Sequence, residues 1–107
     1  MASDLQIEVV RSGVEVVLSG RLDARGAPVA RALLHEIVSA GVGDLQLHGA
    51  DLEIWDASGL GVLVGANRRA RQVGRRLVLM DVPPRQLRLL RATRLHRLIA
   101  LEPAAVA

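Results

Sequence analysis

The segment that most constrains this chain is WDASGLGVLVGANRRAR, from Trp55 to Arg71. Asp56 and Ser58 are residue types that begin helices, because a short side-chain oxygen can accept a hydrogen bond from a free amide of the first turn. The apolar residues after them fall at nearly every angle around a helix, and they are Leu60, Val62, Leu63, Val64 and Ala66. We predict a helix, running to about Gly74, whose first two turns have no polar face. A sheet can cover one side of it, and further chain or another protein must cover the rest.

Length and composition limit the class of protein. At 107 residues the chain suits one domain with one core. No apolar run approaches the roughly 18 to 20 residues that span a bilayer, and the N-terminal residues lack the basic start and apolar core of a secretory signal. We therefore expect a single domain over residues 1–107 in the cytoplasm, with residues 1–4 and 103–107 frayed and no association with a membrane.

The side chains available for metal or cofactor chemistry are few. The chain has no cysteine, which removes disulfides, thiolate nucleophiles and zinc–cysteine sites. His35, His48 and His96 are isolated from one another, and none belongs to a pair with the spacing of metal ligands. We expect neither a metal nor a cofactor.

The net charge is +3, and all 14 basic residues are arginine. A basic protein raises the question of nucleic acid, but Trp55 is the only aromatic residue, so base stacking has almost nothing to use. We expect no direct binding of nucleic acid. The arginines near the end of the central helix are typical of a solvated helix end, and a role in meeting an acidic partner stays open. They are Arg68, Arg69, Arg71, Arg75 and Arg76.

Apolar periodicity predicts the remaining elements. Residues 5–10 and 14–19 alternate with period two around a glycine-containing turn, which indicates a β-hairpin ended by Gly20. A helix from Pro28 to Gly41 follows, and its apolar face is Val29, Leu33, Leu34, Ile37 and Val38. The later elements are a strand over 43–49, whose alternation continues through 51–55, and a second strand over 77–80. A helix headed by Pro84 then breaks near Thr93, and a tail over 95–101 docks Leu98 and Ile99. This order indicates an α/β sandwich on a small mixed sheet.

Acidic residues and glycines near the central segment have structural interpretations. The carboxylates suit solvated loop positions better than an acid–base pair, because no histidine or metal set accompanies them. They are Asp23, Asp51, Glu53 and Asp56. Gly59, Gly61 and Gly65 have the spacing G-x-G-x-x-x-G, one residue off the dinucleotide-binding fingerprint. We interpret these glycines as positions where the helix packs closely on the sheet or on a partner.

Ser58 is the most reactive-looking group in the chain. The stretch D-A-S-G lacks the glycine that precedes the serine of a hydrolase elbow by two residues, and no histidine is evidently placed as its base. From these residues alone, a capping serine without a function is favoured. A serine that receives a phosphate is the alternative, since a helix N-terminus accommodates an anion well.

The central segment and its flanks resemble the STAS domain of bacterial anti-sigma factor antagonists. The likeness extends from Gly20 to Glu102. The segments that carry it are GRLDARGAPVARALL and DLQLHGADLEIWDASGLGVLVGANRRARQVGRRLVLMDVPP, followed by the pattern T-x-L-x-x-L from Thr93 to Leu98. The shared motifs occur in order: G-x-L-D, D-x-S-G-L-G, a basic helix end and that terminal pattern.

The resemblance implies a single STAS-like domain, a small mixed β-sheet of about four to five strands packed by three to four helices. It also implies a protein that is not an enzyme. Members of the family bind an anti-sigma factor that is also a GHKL-type serine kinase, and so release a sigma factor. The kinase phosphorylates the serine before the glycine of D-S-S-G, which corresponds to Ser58, and a PPM-type phosphatase restores it. The implied docking residues are Asp23, Asp56, Ala57, Ser58, Gly59, Leu60, Gly61 and Val62.

Two departures from the family pattern bear on regulation. Ala57 replaces the first serine of D-S-S-G, and Gln46 stands where the preceding strand usually carries an aspartate. A STAS subunit of a transporter and a stressosome-like scaffold are the alternatives within the fold, and a homodimer stays open. From another class, a serine hydrolase would show covalent labelling of Ser58, which we do not expect.

Overall fold

The sheet of the protein has five strands in the order β1-β2-β3-β4-β5, in a computed structural model that describes residues 4–105. The strands are β1 Gln6–Arg11, β2 Glu15–Leu22, β3 Leu45–Ile54, β4 Leu77–Val82 and β5 Ala100–Pro103. The helices are α1 Ala27–Ser39, α2 Ala57–Gln72 and α3 Pro84–Ala92, followed by a 3₁₀ turn at Leu95–Arg97. The β1–β2 pair is antiparallel and the other three pairs are parallel. The predicted mixed sheet and the α/β class are confirmed.

One hydrophobic core joins the helices to one face of the sheet. Val16 and Leu18 of β2 point into it, while Val17 between them is only half-buried, as period-two alternation requires. The later helices and strands, and the residue before β5, also contribute fully buried side chains. They include Leu34, Leu47, Leu63, Leu77, Leu90 and Ile99. Within residues 4–105 no helix is both long and apolar enough to cross a membrane.

The second and third strands are longer than the sequence indicates. β2 continues past Gly20 to Leu22, because the β2–β3 register shifts between Val17 and Ser19 and Gly20 takes a positive φ of 87°. Glycine adopts that conformation without steric cost. The segment 51–55, predicted to continue the alternation of the strand over 43–49, belongs to the same strand as far as Ile54, and this strand, β3, pairs along the length of β2.

The C-terminal prediction is partly wrong. The break near Thr93 is confirmed, since α3 ends there and Arg94 has a positive φ of 62°. Ile99 is buried as expected, but Leu98 is 52% exposed. Fraying from residue 103 is not observed over the described residues, because Pro103 pairs with β4 as the last residue of the parallel strand β5 and the amide of Ala104 donates to the Val82 carbonyl at 3.0 Å. Of the other residues predicted to fray, 1–3 and 106–107 lie outside the described residues. The backbone of Asp4 forms an isolated parallel β-bridge with that of Arg21.

The buried face of α1 is rotated from the predicted one. Its buried residues are Ala27, Ala30, Leu34 and Val38. Val29 and Leu33 are 65% and 41% exposed. The small alanines allow α1 to lie close to the core, and the larger side chains beside them are left on a surface next to β1.

Arg75, expected at a solvated helix end, is instead 4% exposed. Its guanidinium donates to the carbonyl of Val38 at 2.8 Å and to that of Gly43 at 2.9 Å, and also to the carbonyl of Gly13. A single side chain thus satisfies backbone acceptors from the hairpin turn, the end of α1 and the loop before β3. Buried acceptors left without a donor carry a desolvation cost.

Replacing Arg75 with methionine should lower the free energy of unfolding by about 2 to 4 kcal/mol, because three carbonyls lose their donor while the aliphatic stem is kept. Urea denaturation measures this change. Arg76→Met is the matched control. The Arg76 side chain is 68% exposed and meets Asp44 only at 3.8 Å, so a change within about 0.5 kcal/mol is expected. Equal effects of the two substitutions would contradict the structural role of Arg75.

The opposite face of the sheet carries a histidine between two carboxylates. His48 of β3 lies 2.6 Å from Glu15 of β2 through Nε2 and 2.9 Å from Asp81 of β4 through Nδ1. Arg11 also bonds Glu15, at 3.1 Å. Acceptance of hydrogen bonds from the protonated imidazole by Asp81, and then by Glu15, raises the pKa of His48 above its ordinary value of 6.5. In turn the hydrogen bonds from His48 and then Arg11 lower the pKa of Glu15 below 4.5.

The stability of the protein should therefore depend on pH through His48. A group with a raised pKa in the folded state contributes stability that is fully present below its unfolded pKa and is lost as the pH rises through the folded value. We expect the free energy of unfolding of the wild type to fall, relative to that of His48→Gln, as the pH increases above 6.5. Urea titrations of both proteins across that range check the prediction, and parallel pH profiles would refute it.

Candidate functional site

The start of α2 is fixed by the carboxylate of Asp56. This residue is the N-cap, and its Oδ1 accepts from the Gly59 amide at 3.0 Å. The other oxygen, Oδ2, accepts at 3.0 Å from the amide of Ala24, in the loop between β2 and α1. The amides of Gly59 and then Ala24 hold the pKa of Asp56 below its ordinary value. One side chain therefore starts the helix and joins two loops that follow the carboxyl ends of parallel strands, where α/β folds commonly place their sites.

Ser58 is the second residue of α2, and its side chain is exposed. The capping interpretation of Ser58 is wrong, because Asp56 occupies the N-cap. Across residues 4–105 no hydrogen bond engages the Ser58 hydroxyl. Such a hydroxyl, at a helix end whose amides favour negative charge, is chemically suited to carry a phosphate.

Asp23 organises the neighbouring loop. Its Oδ1 accepts from the amides of Arg25 and Gly26 at 3.0 and 3.3 Å, and its Oδ2 lies 2.9 Å from Nε of Arg21. Asp23 is therefore a structural residue of the loop that Asp56 joins to α2, rather than a freely solvated acid. The interpretation of Asp51 and Glu53 as loop acids is also wrong, since both lie within β3.

The glycines of α2 differ in the space around them. A Cβ on Gly59 would lie 2.5 Å from the carbonyl oxygen of Leu22, so the close-packing interpretation is confirmed there. A Cβ on Gly61 would meet nothing within 4 Å. At Gly65 the nearest atom would be Nε2 of His35 at 4.0 Å. Among the three glycines of α2, packing within the described chain thus requires glycine only at residue 59.

The covering of α2 is incomplete at its start. Val62, Leu63 and Ala66 are buried, as a helix with an apolar surface requires, and Leu60 and Val64 are half-buried. The predicted docking residues divide in the same way. Asp56, Ala57, Ser58 and Gly61 are exposed, Asp23 and Leu60 are half-buried, and Gly59 and Val62 are buried. We expect the exposed members to meet a partner and the buried ones to support them from below.

Sequence reasoning did not include Trp55 among the candidate site residues. Trp55 precedes the cap and is 59% exposed. The guanidinium of Arg21 lies 5.0 Å from the centre of its ring, and Nε1 donates to Glu53 at 3.1 Å. The available signal was the position of the only aromatic residue immediately before D-A-S-G.

Comparisons with known proteins are consistent in family and fold. The profile of a family described as "Mlab, STAS domain" matches residues 5–101. The Anti-sigma-B factor antagonist of Bacillus subtilis (strain 168) is 29% identical over 99 residues, which cover 92% of this chain and 90% of that protein. The crystal structure of an anti-sigma factor antagonist from Mycobacterium paratuberculosis has a TM-score of 0.73 at 21% identity, covering 96% of this chain and 91% of that one. The phosphorylated form of the Bacillus cell fate determinant SpoIIAA has a TM-score of 0.66 at 24% identity, covering 91% and 89%.

Alanine substitutions should separate the two glycines at the start of α2. Gly59→Ala should destabilise the protein by about 2 kcal/mol or more, because its methyl group would collide with the Leu22 backbone. Gly61→Ala should raise the free energy of unfolding by about 0.5 to 1 kcal/mol, since alanine is the better helix former and the space is open. Urea denaturation measures both. If Gly61→Ala is as destabilising as Gly59→Ala, the described packing of α2 is incorrect.

Proposed function

Because this chain belongs to the STAS domain family, we propose that it is an anti-sigma factor antagonist controlled by phosphorylation of Ser58. Its partner in this proposal is an anti-sigma factor that is also a GHKL-type serine kinase, and a PPM-type phosphatase reverses the modification. The observation that carries the proposal is the exposed Ser58 hydroxyl on the first turn of a helix capped by Asp56. The identity of the Bacillus subtilis relative and the phosphorylated SpoIIAA fold support it.

The surface around Ser58 suits the docking of another protein. Ala57 and Gly61 are exposed beside it, and Leu60 is half-buried. These residues present little side-chain bulk, so a partner can approach the helix backbone closely. The open space at Gly61 supports this proposal, because the fold alone gives no reason for a glycine in the helix at that position.

Phosphate on Ser58 would act through local electrostatics. It adds about −1.5 to −2 charges at the start of α2. In the free protein the helix amides offset this by roughly 0.3 to 1 kcal/mol. In a dry interface an unpaired charge of this kind costs several kcal/mol, and each 1.4 kcal/mol is about a tenfold loss of affinity. Phosphorylation should therefore weaken the affinity for the anti-sigma factor by about a hundredfold or more, without any change of fold.

The chain is proposed to act by binding rather than by catalysis. A serine nucleophile needs a base within hydrogen-bond reach. No such contact to Ser58 occurs within residues 4–105, and His48 is engaged by Glu15 and Asp81 on β2 and β4. This arrangement disfavours the serine hydrolase that the reactive-looking hydroxyl suggested.

Incubation with ATP and candidate GHKL anti-sigma kinases from the same genome should add a single phosphate to the wild-type protein. Intact mass spectrometry and peptide mapping should locate that phosphate on Ser58, and Ser58→Ala should remain unmodified. Stable binding without phosphate would contradict the switch and favour an antagonist or scaffold without this control. Neither binding nor phosphate would instead favour the subunit of a transporter.

Ser58→Asp supplies the matched test of release. It should bind the anti-sigma factor at least about tenfold more weakly than the wild type, as measured by calorimetry, while its melting temperature stays nearly unchanged because the side chain is exposed. Equal affinities of Ser58→Asp and the wild type would sink the switch mechanism.

A further inference from the structure

Trp55 is a large side chain that is exposed and yet held in place. Its ring is 59% exposed, but Arg21 lies over one face and Glu53 accepts from Nε1. Tryptophan and arginine are the residue types that most often carry the affinity of protein interfaces. A side chain already fixed in the free protein also loses less conformational entropy on binding. These properties make Trp55 a preorganised contact residue.

A groove lies beside Trp55, between the start of β1 and the first half of α1. Arg21 and Asp23 line the groove, and Arg21 also lies over the Trp55 ring, so the groove is directly beside Trp55. Its volume is about 380 Å³. The apolar part of the lining is Leu5, Ile7, Val29, Ala30 and Leu33. The exposure of Val29 and Leu33, unexpected for the largest apolar residues of this half of α1, is explained if another protein covers them.

The groove and the Ser58 region form one continuous surface. The Asp56 carboxylate joins α2 to the amide of Ala24, and the amide of Trp55 donates to the carbonyl of Leu22 at 3.0 Å. The loop between β2 and α1 therefore has a fixed position relative to Ser58. A protein that docks over Ser58 can reach the groove without any rearrangement of this chain.

The charges at the rim indicate the chemistry of the occupant. Arg21 is neutralised by Asp23 at 2.9 Å, and a second carboxylate, that of the exposed Asp4, also lines the groove. The side chain of Arg25 lines the groove and is exposed. Within the described residues its guanidinium has no carboxylate within 4.0 Å. An occupant that places an apolar side chain in the groove and a carboxylate near Arg25 would satisfy both features.

We propose that the anti-sigma factor that docks over Ser58 also grips Trp55 and inserts an apolar side chain, flanked by a carboxylate, into the groove between β1 and α1. This inference rests on the proposed function, and it adds a second contact region that lies outside the phosphorylated turn. Trp55 then supplies much of the affinity of the interface, and Arg25 pairs with one carboxylate of the partner.

Calorimetric titration of a kinase that binds the wild type tests the proposal with two variants. Trp55→Ala and Arg25→Glu should each weaken binding about tenfold or more. Leu98→Ala is the matched control for Trp55, because Leu98 is 52% exposed beside the second half of α2, away from Trp55 and the groove. Its affinity should stay within about twofold of the wild type. Urea denaturation of each variant verifies that the fold is retained.

A second readout uses the single tryptophan. Incorporation of 5-fluorotryptophan gives one ¹⁹F resonance, from Trp55 alone, and this resonance should shift when unlabelled kinase is added. The proposed contact would be overturned if the wild type binds the kinase, Trp55→Ala and Arg25→Glu bind it with the same affinity, and the ¹⁹F resonance does not shift. The proposed function would remain intact in that case. A wild type that neither binds a GHKL kinase nor receives phosphate would overturn the proposed function and the proposed contact together.

Discussion

Two hydrogen bonds to one carboxylate determine the geometry of the candidate site. Asp56 gives one oxygen to the Gly59 amide and the other to the Ala24 amide, so the same side chain starts α2 and fixes the loop that precedes α1. Ser58 and Trp55 lie on either side of this cap in the sequence. Their arrangement is consequently a property of the folded chain alone, and a partner can bind it without paying to order the loops.

The first turn of α2 combines two opposite requirements on glycine. Gly59 has to be small because the Leu22 carbonyl lies directly against it, which brings the helix close to the end of β2. Gly61 faces open space, where alanine would improve the helix. Stability alone therefore gives no reason for glycine at residue 61. A glycine there is understandable if the exposed side of this turn contacts another molecule, as our proposal requires.

The sequence predicted most of the fold, and it singled out Ser58 as the candidate for phosphorylation. Periodicity located the helices and strands, and the motif D-A-S-G marked Ser58, because these signals are local. It did not predict the strand β5 or the burial of Arg75, since both depend on segments distant in the chain. The rotation of α1 was missed because both of its possible apolar stripes contain large aliphatic residues, and only packing against α2 and the sheet selects the one through Leu34. Trp55 was not among the predicted site residues, because its exposure and its contacts with Arg21 and Glu53 cannot be read from periodicity.

Arg75 lies at the amino ends of the parallel strands, away from the site around Asp56. The carbonyls that it satisfies precede it by 32 residues at Gly43, 37 at Val38 and 62 at Gly13. During synthesis the hairpin and α1 therefore leave the ribosome well before the donor that completes their loops. An amino-terminal fragment ending before residue 75 has no replacement for it, so the early elements gain this stabilisation only late. The domain is accordingly expected to fold as one cooperative unit, in which Arg75 from the second half of the chain donates to the Gly13 carbonyl in the turn of the first hairpin.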